Sequence, residues 1–244
     1  KVESPEQFYI TAKAFGRFAY DLNDFDASQL VEVIPQFHDT RNRYRQLEEA
    51  IRENRVGRVK EVQAEIDFIQ DRKADCFLLY DLLDEGVLPL RVTHNDTKLN
   101  NIMFDSQTKE PLCIVDLDTV MPGLVLFDFG DSIRFGANDC AEDEPDLSKV
   151  NFDFDLYETY VKGFIEGTNG ILTEAELEYL PWGARVITLE QGIRFLTDYI
   201  NGDVYYQTTR SGQNLDRART QLKLVQDMEN VWDKMVEAVK NAQK

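Results

Sequence analysis

Two short apolar runs, Ile102 to Phe104 and Leu112 to Val115, interrupt a chain whose other apolar residues mostly recur at helical spacing. The polar stretch Asp105 to Pro111 separates them, so they read as a small hairpin with a longer loop. That pairing dictates where the flanking segments go. His94 to Asn101 precedes the first strand and Asp116 to Gly123 follows the second, so the polar residues of both loops emerge side by side at one end of the hairpin.

Helices account for most of the remainder. Ser4 is a cap, Pro5 sits in a first turn, and apolar residues run on through Phe18. Within Gly57 to Leu83, Val59, Val62, Ile66 and Ile69 fall at spacings of three and four; Leu222, Val225, Met228, Trp232, Met235 and Val239 do the same near the end. Arg41 to Arg55 reads as a charged, solvated helix. Thr173 to Ile200 reads as one or two helices interrupted near Pro181 and Gly183. No internal repeat or low-complexity tract appears. The expected fold class is α+β, mainly helical, with the hairpin at the functional site.

Composition narrows the function. The sequence has 27 basic and 45 acidic residues, a net charge of −18, and 43% hydrophobic residues, enough apolar material for a sizeable core. Such an acidic chain repels phosphodiester backbones and anionic lipid, which argues against nucleic acid as a partner, although a local basic pocket can still hold a small anion. The longest charge-free stretch, Thr119 to Phe127, contains Pro122 and Gly123 and is too short to cross a bilayer, so no membrane association is expected. Three cysteines, Cys76, Cys113 and Cys140, show no paired spacing of a metal clip and fit a reducing cytoplasm.

The loop before the first strand carries the chemistry. His94-Asn95-Asp96-Thr97-Lys98-Leu99-Asn100-Asn101 has the spacing His-x-Asp-x-Lys-x-x-Asn of a kinase catalytic loop. Phosphoryl transfer to an alcohol needs a carboxylate that orients the hydroxyl and takes its proton, which is Asp96. Lys98, two residues on, can reach the transferring phosphate, and the Asn101 amide oxygen can hold a metal ion. His94 fixes the loop from beneath. Asp116, directly after the second strand, is placed as the second metal ligand, and Asp118 points toward the acceptor side. Asp128-Phe129-Gly130 spells the letters of the kinase metal-binding motif, but it lies beyond the Pro122-Gly123 turn and is read as a decoy.

Thr93 to Asn101, Ile114 to Gly123 and Phe127 to Arg134 together resemble the aminoglycoside phosphotransferase superfamily. Within it they are most similar to the branch that phosphorylates N-acetylhexosamines. Phe37-His38-Asp39-Thr40, Arg194 to Asp203 and Asn214 to Arg219 extend the resemblance over most of the chain. It implies ATP- and Mg2+-dependent phosphorylation of the anomeric hydroxyl of a sugar such as N-acetylglucosamine or N-acetylgalactosamine, in carbohydrate metabolism. By the same resemblance Asp96 is the base, Asn101 and Asp116 are the metal ligands, and Arg194 donates to sugar hydroxyls, with Asp118 and His38 as further candidates on the sugar side. An ion pair for Arg194 and a structural role for His38 are the competing readings. Trp182, Tyr205 and Tyr206 are candidates for stacking on a sugar face, against ordinary packing.

The family also carries a β-rich lobe with a phosphate-covering loop and a strand lysine. No Gly-x-Gly-x-x-Gly occurs in this sequence. Residues 1 to 244 are therefore expected to form the helical carboxy-terminal lobe of a kinase-like fold, without the nucleotide lobe, and the chain by itself is expected to be inactive as a kinase. Two rivals remain: phosphorylation of another small alcohol such as an aminoglycoside, choline or ethanolamine, and a non-catalytic sugar-binding module.

Overall fold

The computed structural model describes residues 2–244. Ser4 accepts a hydrogen bond from the Gln7 amide at 3.1 Å, and Pro5 occupies the first turn, so α1 (Pro5–Asp21) begins where its cap signals place it. A long irregular strap leads to α2 (Thr40–Glu53), capped by Asp39. This helix is charged yet not fully solvated, because Tyr44, Leu47 and Ala50 form a buried stripe on one side. The periodic stretch that follows is two helices, α3 (Gln63–Gln70) and α4 (Lys73–Asp84). They part at Asp71 and Arg72, where the Arg72 guanidinium turns to donate to the Phe68 carbonyl and to both oxygens of Glu229.

Four strands follow, interleaved with the functional loops: β1 (Arg91–Thr93), β2 (Ile102–Phe104), β3 (Pro111–Ile114) and β4 (Met121–Gly123). β2 and β3 form the expected antiparallel hairpin, with Ile102 opposite Ile114. β1 and β4 form a second antiparallel pair, Thr93 opposite Met121, which the sequence reading did not include. Strands of three residues are too short to show alternation, and β4 contains the Pro122-Gly123 pair that reads as a turn. Gly123 is required there, since a Cβ would collide with the Thr93 hydroxyl across the ladder.

The remaining elements are α5 (Val125–Gly136), α6 (Phe154–Thr168), α7 (Glu174–Asn201), α8 (Gln213–Asn230) and α9 (Trp232–Ala242). The expected interruption near Pro181 does not occur: α7 is one helix that runs through Pro181. A capping box starts it, Thr173 accepting from the Glu176 amide and Glu176 from the Thr173 amide. Gly183 is a packing notch rather than a breaker. It admits the backbone of α5, because a Cβ on Gly183 would strike the Leu126 carbonyl and one on Gly130 would strike the Gly183 carbonyl. The long terminal pattern, by contrast, splits at Val231 into α8 and α9.

α7 is the spine of the domain. Its first half packs Leu180, Ala184 and Ile187 into a core with Phe129 of α5 and Tyr157, Tyr160 and Phe164 of α6. Its second half gives Ile193, Leu196 and Ile200 to another core with Leu47, Ile66, Ile69 and Val225. The result is mainly helical with two small antiparallel sheets, an α+β arrangement. Cys76, Cys113 and Cys140 form no disulfide among the described residues, and no described helix is long and apolar enough to cross a membrane.

Candidate active site

The β1–β2 loop and the segment after β3 meet as the hairpin register requires. The Val115 amide donates to the Asn101 carbonyl at 2.9 Å, which sets Asp116 beside Asn101. Asp116 is exposed and adopts a left-handed backbone (φ 62°) that leads into a single 3-10 turn, Leu117–Thr119. Within the loop, Lys98 Nζ lies 2.8 Å from Asp96 Oδ1, and the Asn101 side-chain amide donates to Asp96 Oδ2 at 3.1 Å and to the Asp96 carbonyl at 2.8 Å. Both donors of Asn101 therefore face Asp96, which leaves its amide oxygen to accept from, or ligate, something else.

The loop is held from below. His94 Nε2 is 3.0 Å from the Val115 carbonyl and its Nδ1 accepts the Asp96 amide at 3.3 Å, which places the ring proton on Nε2. Phe15 and Phe18 of α1 press edge-on against this imidazole. Asp128, in the first turn of α5, accepts the backbone amides of His94 and Asn95 at 2.8 and 2.6 Å, and its carbonyl receives the Thr97 hydroxyl. Burial pushes the Asp128 carboxyl up to about 6, against the pull of those two amides and the neighbouring imidazoles. Asp128 thus braces the backbone of the His94–Thr97 segment.

On the other side of Asp96 opens a cleft of about 510 Å³, shared by Lys98, His38, Arg194, Phe37, Phe135 and Tyr206. Arg194 makes no ion pair among the described residues. Its guanidinium donates to Gln191 Oε1 at 3.2 Å and lies near the rings of Phe37 and Tyr206. Tyr206 is fixed by Asp198, whose carboxylate accepts the amides of Val204, Tyr205 and Tyr206 and the side chain of Asn214. Not every candidate converges. Trp182 packs edge-on against Trp232 under Arg185, outside the cleft, and Tyr205 is a surface residue set edge-on to Tyr206. Asp118 is exposed on the 3-10 turn, and its neighbour Thr119 lines the cleft instead. His38 is buried with both ring nitrogens engaged inside the protein, facing Glu190 and the Asn95 carbonyl, so it borders the cleft without a free nitrogen for a sugar.

Four further wall residues, Asp131, Arg134, Glu142 and Arg217, have no role assigned from the sequence, although all but Glu142 fall in segments that carry the family resemblance. The buried Arg134 guanidinium pairs with Asp131 at 2.9 Å and Glu142 at 3.1 Å. For Asp131 and Arg134 the local trace is charge within an otherwise apolar helix, which a solvated face produces equally well; Glu142 lies outside any helix.

No group of three His, Cys, Asp or Glu side chains among the described residues has metal-holding geometry. Asn101 offers an amide oxygen and Asp116 a carboxylate, hard oxygen donors of the kind that Mg2+ would take beside waters and phosphate oxygens. A carboxylate beside an ammonium, next to such donors and open to a cleft, is the equipment of a phosphotransferase. Residues 3–160 match the phosphotransferase enzyme family, APH, and the chain belongs to that family. It is a kinase-type transferase of small molecules.

Proposed function

We propose that the protein transfers the γ-phosphoryl group of ATP to the anomeric hydroxyl of an N-acetylhexosamine, with this chain as the helical catalytic and acceptor lobe of a kinase-like enzyme. The observation that carries the reading is that Asp96, Lys98 and the unpaired Arg194 line one cleft with Phe37, Phe135 and Tyr206. Aromatic faces and a guanidinium donor suit a neutral, hydroxyl-rich ring. A cationic acceptor such as an aminoglycoside or choline would meet Arg194, Arg134 and Arg217 in the cleft wall.

In this mechanism Asp96 accepts the proton of the acceptor hydroxyl as its oxygen bonds to the γ-phosphorus and the bond from phosphorus to the ADP oxygen breaks. Lys98, 2.8 Å from Asp96, reaches a phosphoryl oxygen from the same position. Mg2+ held by Asn101 and Asp116 would neutralise charge on the phosphates. Arg194 anchors the far side of the sugar, and Asp118 stands at the solvent edge. The test is a panel of N-acetylhexosamines, aminoglycosides, choline and ethanolamine offered with Mg-ATP to the complete gene product, with ADP release and phosphorus NMR as readouts. Preferential formation of a sugar 1-phosphate is expected; faster turnover of any amine overturns the assignment.

A further inference from the structure

The chain has two histidines, and both touch the same peptide unit. Its carbonyl, on Asn95, lies 3.0 Å from His38 Nε2. Its amide, on Asp96, donates to His94 Nδ1 at 3.3 Å. In a trans peptide these two groups point in opposite directions, so the imidazoles meet the plane from opposite sides. We propose that His38, anchored by Glu190, acts with His94 as a clamp on the Asn95–Asp96 peptide that sets the direction of the Asp96 carboxylate. This makes His38 a positioning residue of phosphoryl transfer rather than an acceptor ligand. The kinetic half of this inference rests on the kinase reading above.

His38 is built for that task. It is 8% exposed and wedged between Phe37 and the Phe127 ring of α5. Its Nδ1 lies 3.0 Å from Glu190 Oε1 of α7, while the Thr40 hydroxyl donates to Glu190 Oε2 at 2.6 Å. Both partners of the ring, a carboxylate and a carbonyl, only accept, so each ring nitrogen must carry a proton for both bonds to form. The surrounding charges favour that state: Glu190 from α7, with Asp131 and Asp128 from α5, outweigh Arg194 and the burial that would discharge the ring.

The clamped residue needs clamping. Asn95 has a left-handed backbone (φ 64°), and every other polar group on it is also engaged. Its amide goes to Asp128, and its side-chain nitrogen donates to the carbonyls of Thr93 and Thr119. Only the carbonyl faces the strap before α2, and His38 takes it. A strained residue directly before the proposed base transmits any relaxation to Asp96.

Two substitutions separate the two arms of His38. In Gln the amide nitrogen overlays Nε2 and keeps the loop contact, whereas in Asn it overlays Nδ1 and keeps only the Glu190 contact. With the complete gene product, His38→Gln should hold kcat within about threefold and His38→Asn should lower it about tenfold or more, both with acceptor KM nearly unchanged, as expected when geometry rather than binding is lost. Equal losses in the two variants, wild-type kcat in His38→Asn, or a rise in acceptor KM alone would overturn the clamp. Should His38→Asn fail to fold, His38→Leu, which has no donor for the Asn95 carbonyl, must lower kcat at constant KM, and wild-type kcat in that variant overturns the proposal. If the wild type transfers no phosphate at all, the kinase reading fails separately. NMR of the imidazole nitrogens in this chain then decides the clamp, because His38 must keep both nitrogens protonated above the pH at which an ordinary imidazole titrates, and ordinary titration overturns it.

Discussion

At the scale of the residue, the site divides into groups that face the reaction and groups that hold those in place. Asp96→Asn keeps the shape of the loop and removes the proton acceptor, so kcat should fall by about 10²-fold or more with little change in melting temperature. Asp116→Ala should abolish Mg2+-dependent turnover in a folded protein, since a bound ion contributes several kcal/mol to the transition state. Asp128→Ala should behave differently. It strands two buried amides, and a denaturant titration should show a loss of about 2–3 kcal/mol. The reverse pattern, activity lost in a stable Asp128→Ala while Asp116→Ala keeps it, would exchange their roles. The Asp96, Lys98 and Asn101 spacing was legible because catalysis demands fixed residue types at fixed intervals along one loop. Glu190 was not, because its partner His38 is 152 positions away and only the fold joins them. That pair also sets a pH dependence. His38 is raised above its ordinary 6.5 by Glu190 in spite of burial, so its contribution to stability is complete below about 6.5 and lost as pH rises through the higher folded value. Glu190 is held below 4.5 by His38 in spite of burial, and its contribution fades only as pH falls through that lowered value. Asp128, raised from 3.8 to about 6 by burial, has the opposite sign to Glu190: its folded form favours the proton, so its share of stability is complete below about 3.8 and lost as pH rises to about 6. Urea midpoints should therefore decline above about pH 6.5, and the decline should shrink in His38→Gln; an identical alkaline limb in both proteins would deny the pair this role.

Elements were legible where local signals agree with the tertiary environment. Ser4 and Pro5 start α1, and the hairpin falls where its apolar runs put it, because cap, turn and periodicity point the same way. Pro181 misleads, since it removes one backbone hydrogen bond inside α7 while the α5 contact at Gly130 and Gly183 holds the helix in one piece. β1 and β4 escaped notice because two three-residue strands owe their pairing to the loops between them rather than to their own sequence. The turn after α7 shows how an element boundary becomes part of the site. Gly202 ends the helix in the left-handed conformation, and Asp198 then gathers three successive amides and Asn214. Tyr206 and, through Asn214, Arg217 are set against the acceptor cleft by this one carboxylate. Asp198→Ala should loosen the turn and raise acceptor KM by about tenfold with nucleotide KM nearly unchanged, the signature of lost acceptor positioning. Matched rises in both constants, or none, would separate this turn from the acceptor side.

At the scale of the whole molecule, the two cores joined by α7 explain why this chain should fold by itself. Tyr157, Tyr160, Phe164 and Phe129 in one core and Leu47, Ile66, Ile69 and Leu196 in the other are almost completely buried by residues within the chain. A single cooperative unfolding transition is expected, because α7 contributes to both cores and neither can open without exposing part of the other. Nucleotide binding is another matter. Asp96, Lys98, Asn101 and Asp116 can hold a metal ion and a phosphate from one side, but positioning of the γ-phosphate in line with the acceptor needs contacts from both sides. The sequence has no Gly-x-Gly-x-x-Gly loop to supply the second. Expressed by itself, the 244-residue chain should therefore bind Mg-ATP with a Kd of about 1 mM or weaker, about −4 kcal/mol, while acceptor contacts through Arg194 persist. Calorimetry with Mg-ATP, followed by a coupled assay with N-acetylhexosamines, checks both statements on one preparation. Micromolar nucleotide affinity with measurable turnover would show that these 244 residues are sufficient, and would place the catalytic power on the loop around Asp96.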